Sequence, residues 1–281
     1  MTADLLQISA AEYHAVRAVS NTGISKLLTS PAHFQYWLEN PDEQTEAMII
    51  GSVFHCLALE GQEFDQRYHV MQNSRATNAG KQEEAEALLA GQTVITKSVY
   101  QIANDLATAA LSDAYISRLL RSPTAQRESS IFWTEEVGGV SIPCKARLDF
   151  MDNIEKFGLL VMDLKSSKTA HPDRLPRVIT ERGYHRQAWW YMRALSALGL
   201  TPRKFLLGVV EKTPPHIVTP ATVQPEAVEQ GGSECQRALA VYAECQSKNY
   251  WPGYADQIIE VGLMPWAYQK ETSDYDAEFT G

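Results

Sequence analysis

The stretch RLDFMDNIEKFGLLVMDLKSSKTA, residues 147–170, sets Asp163 and Lys165 inside an otherwise apolar run, with Asp149 one hairpin earlier. Burying a carboxylate and an ammonium is costly, so a chemistry that uses both charges is the first question. Side chains alternate along a strand. Val161, Asp163 and Lys165 therefore share one face, and Met162 and Leu164 the other. Asp149 is expected to end the preceding strand on the face of Lys145 and Arg147, converging with Asp163 at one end of a sheet. Two carboxylates so placed repel unless a divalent cation sits between them, and oxygen ligands suit Mg²⁺ or Mn²⁺. Lys165 beside such an ion orients or activates a water for attack on a phosphodiester. The same spacing also describes a purely structural Asp–Lys pair at a strand end. Asp152 and Glu155 read as solvated charges of the intervening turn.

Two further clusters fit around these charges. In GYHRQAWWYMRAL, Gln187 and Tyr191 lie four residues apart on one helix face, extended by Tyr184. That polar stripe suits phosphate or a metal-bound water, and it equally describes an aromatic core face with an incidental Gln187. In IIGSVFHCLALEG, Gly51, Ser52 and His55 share a helical face opposite apolar Ile49, Val53, Cys56 and Leu57. A lone helical His is ordinarily structural; beside an acidic site it is a candidate fourth ligand.

The elements that must position these groups follow from local signals. Ser20 or Asn21 caps a first short helix; Ser30 caps a second with Pro31 in its first turn, and Asn40-Pro41 stops it. Helices follow to about Gly61, over 79–90 and over 99–121. The period then changes to that of strands. Residues 128–151 read as a hairpin turning at Gly138-Gly139. FGLLVMDLKSS is apolar enough to be a central strand, a long helix covers about 176–198, and KFLLGVVEK and HIVTP are strands before a helix over 225–247. This order gives an α/β fold: a mixed central sheet flanked by helices. One domain is expected, with a helical part over about 1–122, a sheet core over about 123–255 and an acidic tail over about 270–281.

Composition bounds the partners. The chain has 281 residues, 44% hydrophobic and 21% charged, with a formal charge of −9. Any polyanion-binding surface must therefore be confined to a groove or channel. Cys56, Cys144, Cys235 and Cys245 form no CxxC pair and read as thiols of a reducing compartment. The N-terminus has no basic segment followed by an apolar one, and no apolar run approaches about 18 residues. A cytoplasmic protein without a membrane span is expected.

In chain order, G-S-x-x-H (Gly51, Ser52, His55), Asp149, D-x-K (Asp163, Lys165) and Q-x-x-x-Y (Gln187, Tyr191) resemble the RecB-like branch of the PD-(D/E)XK nucleases. SNTGISKLLTSPAHFQYWLE, GSVFHCLALEG, and CKARLDF followed by VMDLKSS are more closely similar to exonuclease VIII (RecE-type) nuclease domains. The resemblance runs from about Tyr13 to about Tyr254. It implies that His55, Asp149, Asp163 and the Leu164 carbonyl are metal ligands, that Lys165 is the catalytic lysine, and that Gln187 and Tyr191 complete the site. Glu128 is an accessory acid on this reading. The resemblance also implies a Mg²⁺-dependent exonuclease, with Mn²⁺ able to substitute. Such an enzyme degrades linear double-stranded DNA processively from 5′ ends and leaves 3′ tails for a recombinase or single-strand annealing protein. Its assembly would be a ring of three or four subunits, with Lys26, Arg182, Arg186 and Arg193 toward the channel. An endonuclease or single-strand nuclease on the same core, and a non-catalytic DNA-binding subunit, remain alternatives.

Overall fold

The computed structural model describes residues 3–41 and 43–268, so the acidic tail expected over about 270–281 lies outside the described residues. In chain order the elements are β1 (Asp4–Leu6), α1 (Ala10–Ala15), α2 (Asn21–Thr29), α3 (Pro31–Glu39), α4 (Glu46–Leu59), α5 (Phe64–Arg67), β2 (Tyr68–Val70), α6 (Asn78–Leu89), β3 (Thr93–Ile95), α7 (Lys97–Ser112) and α8 (Ile116–Leu120). The main strands and their helices follow: β4 (Gln126–Val137), β5 (Val140–Ile154), β6 (Gly158–Ser167), α9 (Leu175–Arg182), α10 (Tyr184–Ala197), β7 (Pro202–Glu211), β8 (Val218–Thr222) and α11 (Pro225–Lys248). Among the described residues no helix is long and apolar enough to cross a membrane.

Six strands form one sheet in the order β1-β4-β5-β6-β7-β8, antiparallel except for the parallel β6–β7 pair. This is the mixed central sheet that the pattern implies, and β6 lies inside it between β5 and β7. The β4–β5 hairpin turns at Gly138 and Gly139, both at positive φ (57° and 81°), where a side chain would be strained. Ser20, Ser30 and Thr45 each accept a hydrogen bond from a backbone N–H of the first turn and so cap α2, α3 and α4.

Three expectations are corrected. The helical N-terminal part also contributes strand β1 to the sheet and β2 and β3 to a small parallel pair. The helix expected over 99–121 breaks at Asp113, whose Oδ1 accepts from the Tyr115 and Ile116 N–H groups and starts α8 afresh. The helix expected over 176–198 breaks at Gly183, whose left-handed backbone (φ 68°) ends α9 and begins α10.

Helices cover both faces of the sheet. On one, α4, α7 and α8 bury Val53, Phe54, Leu106 and Ile116 against Phe150, Met162 and Leu164. On the other, α2, α3, α10 and α11 bury Ile24, Phe34, Trp190 and Leu239 against Leu148, Val161 and Leu207. Consecutive β6 residues thus serve opposite layers: Met162 and Leu164 face α4, while Val161 faces α10. This alternation decides where the charges of β6 go.

Candidate active site

β6 points Asp163 and Lys165 toward α10. Asp163 is fully buried. Its Oδ1 accepts from Gln187 Nε2 at 2.8 Å, and its Oδ2 pairs with Lys165 Nζ at 2.5 Å. Gln187 gives its second amide hydrogen to the Tyr191 hydroxyl, also 2.8 Å away. The Tyr191 hydroxyl therefore keeps its own hydrogen to donate. Tyr184 lays its ring beneath the lysine, 5.2 Å from Nζ to the ring centre. The stripe read from GYHRQAWWYMRAL is real, and it points at the charged strand.

The electrostatics of this half favour fixed protonation states. Burial pushes the Lys165 ammonium down, but Asp163 and then Asp149 more than offset it, leaving its pKa above the ordinary value. Burial, reinforced by the two aspartates, raises Tyr191 well above an ordinary phenol. Lys165 is therefore a cationic donor and Tyr191 a neutral one.

The other half of the site is organised around α4. His55 Nε2 lies 2.9 Å from the Leu164 carbonyl. A carbonyl only accepts, so this contact places a proton on Nε2, and in the neutral imidazole Nδ1 is then a lone pair. That lone pair faces Asp149 Oδ2 at 3.5 Å and Glu128 Oε1 at 4.0 Å. One donor atom from each of His55, Glu128 and Asp149 falls within 4.8 Å of the others. Three acceptors turned toward one another repel unless a cation lies between them. Nitrogen plus two carboxylates is a donor set that accepts Mg²⁺ and, through the imidazole, favours Mn²⁺ more. The residues present therefore fit a divalent cation.

The backbone is bent to make this half. Glu128 would oppose Asp149 between the Arg127–Phe150 and Ser129–Leu148 pairs, but that pair is missing from the ladder. Glu128 has φ 48°, left-handed for a residue with a full side chain. Across from it the alternation of β5 slips: Cys144, Ala146 and Leu148 share one core, and Met151, not Phe150, rejoins it. Such an irregularity re-aims side chains next to a site. Arg147 then holds the Glu128 carboxylate, Nε to Oε2 at 2.7 Å, while Nη1 donates to the Ile8 carbonyl (2.7 Å) and Ser130 Oγ (3.0 Å). Asp149 is held by the Leu164 N–H, which donates to Oδ2 at 2.9 Å. Burial first, then Asp163, pushes Asp149 up to about 7, with Glu128 adding and His55 and Lys165 opposing.

Measured against the expected ligand set, the structure brings His55 and Asp149 together and adds Glu128 as a full member. Asp163 is outside that cluster, tied to Lys165 and Gln187, but it falls opposite Asp149 where the β5–β6 ladder ends at Phe150–Met162 and it raises the Asp149 pKa, so the two carboxylates converge as expected. The Leu164 carbonyl, expected to face a metal, accepts from His55 and fixes its tautomer. Asp149 lies inside β5, which runs on to Ile154, rather than at a strand end. Asp152 is not a solvated turn charge; it is buried and accepts from Ser122 Oγ and Thr124 Oγ1. Arg186 and Arg193, expected toward a channel, are engaged by Glu234 and Glu135.

The chain matches the PDDEXK-like domain of unknown function (DUF3799) over residues 20–261. It belongs to this PDDEXK-like family. A crystal structure from Eubacterium rectale, named "Putative exonuclease", superposes with a TM-score of 0.59 at 14% identity, covering 92% of this chain and 97% of that one. At that identity it shows the shared PDDEXK-like fold. The structure of SSO0001 overlaps at a TM-score of 0.33 and 12% identity, over 67% of this chain and 84% of its own, too little to carry an argument. No curated protein matches the chain.

Proposed function

We propose that this PDDEXK-like protein is a Mg²⁺-dependent deoxyribonuclease acting on double-stranded DNA ends as a 5′→3′ exonuclease. The observation that carries the reading is the juxtaposition across one strand of two unlike sets. His55, Glu128 and Asp149 bring three ligand atoms together, and Lys165, paired with Asp163, lies close enough to act on Asp149. A divalent ion bound by the first set would supply Lewis acidity and lower the pKa of water. Lys165, held protonated, donates to a phosphate oxygen or orients the attacking water and stabilises negative charge as it develops. It does not act as a base. Asp163 fixes the lysine, Gln187 fixes Asp163, and Tyr191 keeps a hydrogen to donate. The E. rectale name supports an exonuclease over an endonuclease, and the RecE-type motifs support the polarity, the 3′ tails and a single-strand annealing protein as the partner that takes them.

The test is a digestion of linear and circular duplexes with either 5′ or 3′ label, with Mg²⁺ and with excess EDTA. Loss of the 5′ label from linear duplex only, and only with metal, is expected. Equal cleavage of circles would make the protein an endonuclease. Full activity in EDTA would overturn the metal reading.

A further inference from the structure

The start of the chain reaches the ligand cluster through one side chain. Strand β1 pairs with β4 from Asp4–Phe132 to Leu6–Ser130. Carried on, that register would set Ile8 opposite Glu128, but Glu128 has a left-handed backbone and β1 stops at Leu6. The Ile8 carbonyl accepts instead from Arg147 Nη1, 2.7 Å away. The same nitrogen donates to Ser130 Oγ at 3.0 Å, while Nε donates to Glu128 Oε2 at 2.7 Å. An arginine–carboxylate pair free to choose its geometry gains most by engaging both oxygens. Arg147 engages one. Two neutral acceptors, Ile8 and Ser130, hold Nη1, and Glu128 Oε1 is left facing His55 Nδ1 at 4.0 Å. The two side chains are only 11% and 14% exposed, so water competes poorly for this arrangement.

Residues 8–16 are clamped by β5 at both ends. Arg147 holds Ile8. Lys145, two residues earlier on the same face of β5, donates from its buried Nζ to the carbonyls of Tyr13 (2.9 Å), His14 (3.4 Å) and Val16 (2.6 Å). These carbonyls end α1, where the helix has no internal donors for them. Between the clamps α1 has six residues, started by a capping box of Ser9 and Glu12. A helix this short does not persist on its own, so its contacts with β5 hold it. We propose that residues 8–16 are a working part of the metal centre. Docked by Lys145, they fix the Arg147 guanidinium, and Arg147 is the positioning residue that turns Glu128 Oε1 toward the cation. The inference rests on the metal reading of His55, Glu128 and Asp149.

Calorimetric titration of Mn²⁺ at pH 8, beside denaturant melts of the same proteins, tests it. Arg147→Ala keeps all three ligands, yet it is expected to weaken Mn²⁺ binding roughly tenfold or more, the usual cost of losing a group that orients a ligand. Arg147→Lys keeps the charge, but a lysine is a point donor and cannot span Glu128 and Ile8 together. Its affinity should fall between those of wild type and Arg147→Ala. Lys145→Met removes the clamp at the far end of the segment, touches no ligand and should weaken Mn²⁺ binding as well. In a Glu128→Gln background Arg147→Ala should cost no further affinity, because its effect passes through that carboxylate. A merely structural Arg147 would lower stability and leave the Mn²⁺ affinity of the folded protein unchanged, which would overturn the proposal. So would an equal loss of affinity with and without the Glu128 carboxylate, or wild-type affinity in Lys145→Met. If Arg147→Ala does not fold, Arg147→Lys and Lys145→Met decide the matter. A wild type that binds no Mn²⁺ would overturn the metal reading and this proposal together; variants that all bind as wild type does would overturn this proposal alone.

Discussion

The two halves of the site treat their charges differently. Toward α10, Asp163 is matched within the protein: Gln187 donates to one oxygen, Lys165 pairs with the other, and every partner is buried or half-buried. Toward α4, His55, Glu128 and Asp149 present acceptors to one another and no donor among themselves. The matched side is a rigid frame that sets the lysine. The unmatched side is destabilising once Asp149 is ionised, and the backbone bends at Glu128 to bring its carboxylate there. A frame that is complete without a ligand, next to a cluster that is not, is what a preorganised metal-dependent site requires.

Substitutions on the two sides should separate binding from chemistry. Asp149→Asn and Lys165→Ala are each expected to slow cleavage on the order of 10²–10³-fold, the usual cost of one well-placed electrostatic group. Only Asp149→Asn should also weaken Mn²⁺ binding, which calorimetry beside single-turnover rates would show. Equal loss of metal by Lys165→Ala would merge the two sides into one.

Gln187→Ala strikes the frame alone. It leaves Asp163 Oδ1 buried without its donor, an expected loss of about 1–3 kcal/mol in stability. Cleavage by the folded fraction should fall as well, because Asp163 no longer fixes Lys165. Thermal melts and rates taken together check this, and an unchanged rate would make Gln187 a core residue only.

The unmatched side should also respond to pH. Asp149 titrates near 7 in the folded protein, against an ordinary carboxylate value near 4. Between those values folding takes up a proton, so the contribution of this group to metal-free stability is present at low pH and is lost as pH rises through the window. A cation needs the ionised form. Mn²⁺ affinity should therefore rise about tenfold per pH unit below 7 and level off above it. Isothermal titrations at several pH values give that slope, and a flat profile would remove Asp149 from the ligand set.

The smallest effect isolates the backbone. Glu128→Gly and Glu128→Ala both remove the carboxylate and the Arg147 pair. Only glycine is at ease at φ 48°, so Glu128→Gly should be more stable than Glu128→Ala by about 1 kcal/mol. Denaturant melts of the two variants measure the difference; equal stability would mean the backbone relaxes freely at that point.

Much of the frame was legible in the sequence, because it is written in periods. The alternation around Asp163 and Lys165, the four-residue spacing of Gln187 and Tyr191, and the Gly138-Gly139 turn each fix a face or a hairpin. The unmatched side was only half legible. That Glu128 opposes Asp149 is a matter of register between strands, and its left-handed backbone breaks the alternation that a reader of strands relies on. Asp152 looked like a turn charge because β5 continues past its apolar residues, where Ser122 and Thr124 from the preceding loop satisfy the carboxylate. Trp189 is the indole the sequence reading expects in the core, and the helix is rotated from that expectation. The structure buries Trp190, which donates to the Lys145 carbonyl, and leaves Trp189 half-exposed.

On the proposed reading, one divalent cation is held between α4 and the β4–β5 hairpin by His55, Glu128 and Asp149. Calorimetric titration of Mn²⁺ at pH 8 into the wild type, Asp149→Asn and Glu128→Gln tests it most directly. A saturable site is expected in the wild type, weakened at least about tenfold by each substitution. No binding by the wild type, or binding that both substitutions leave unchanged, would contradict it.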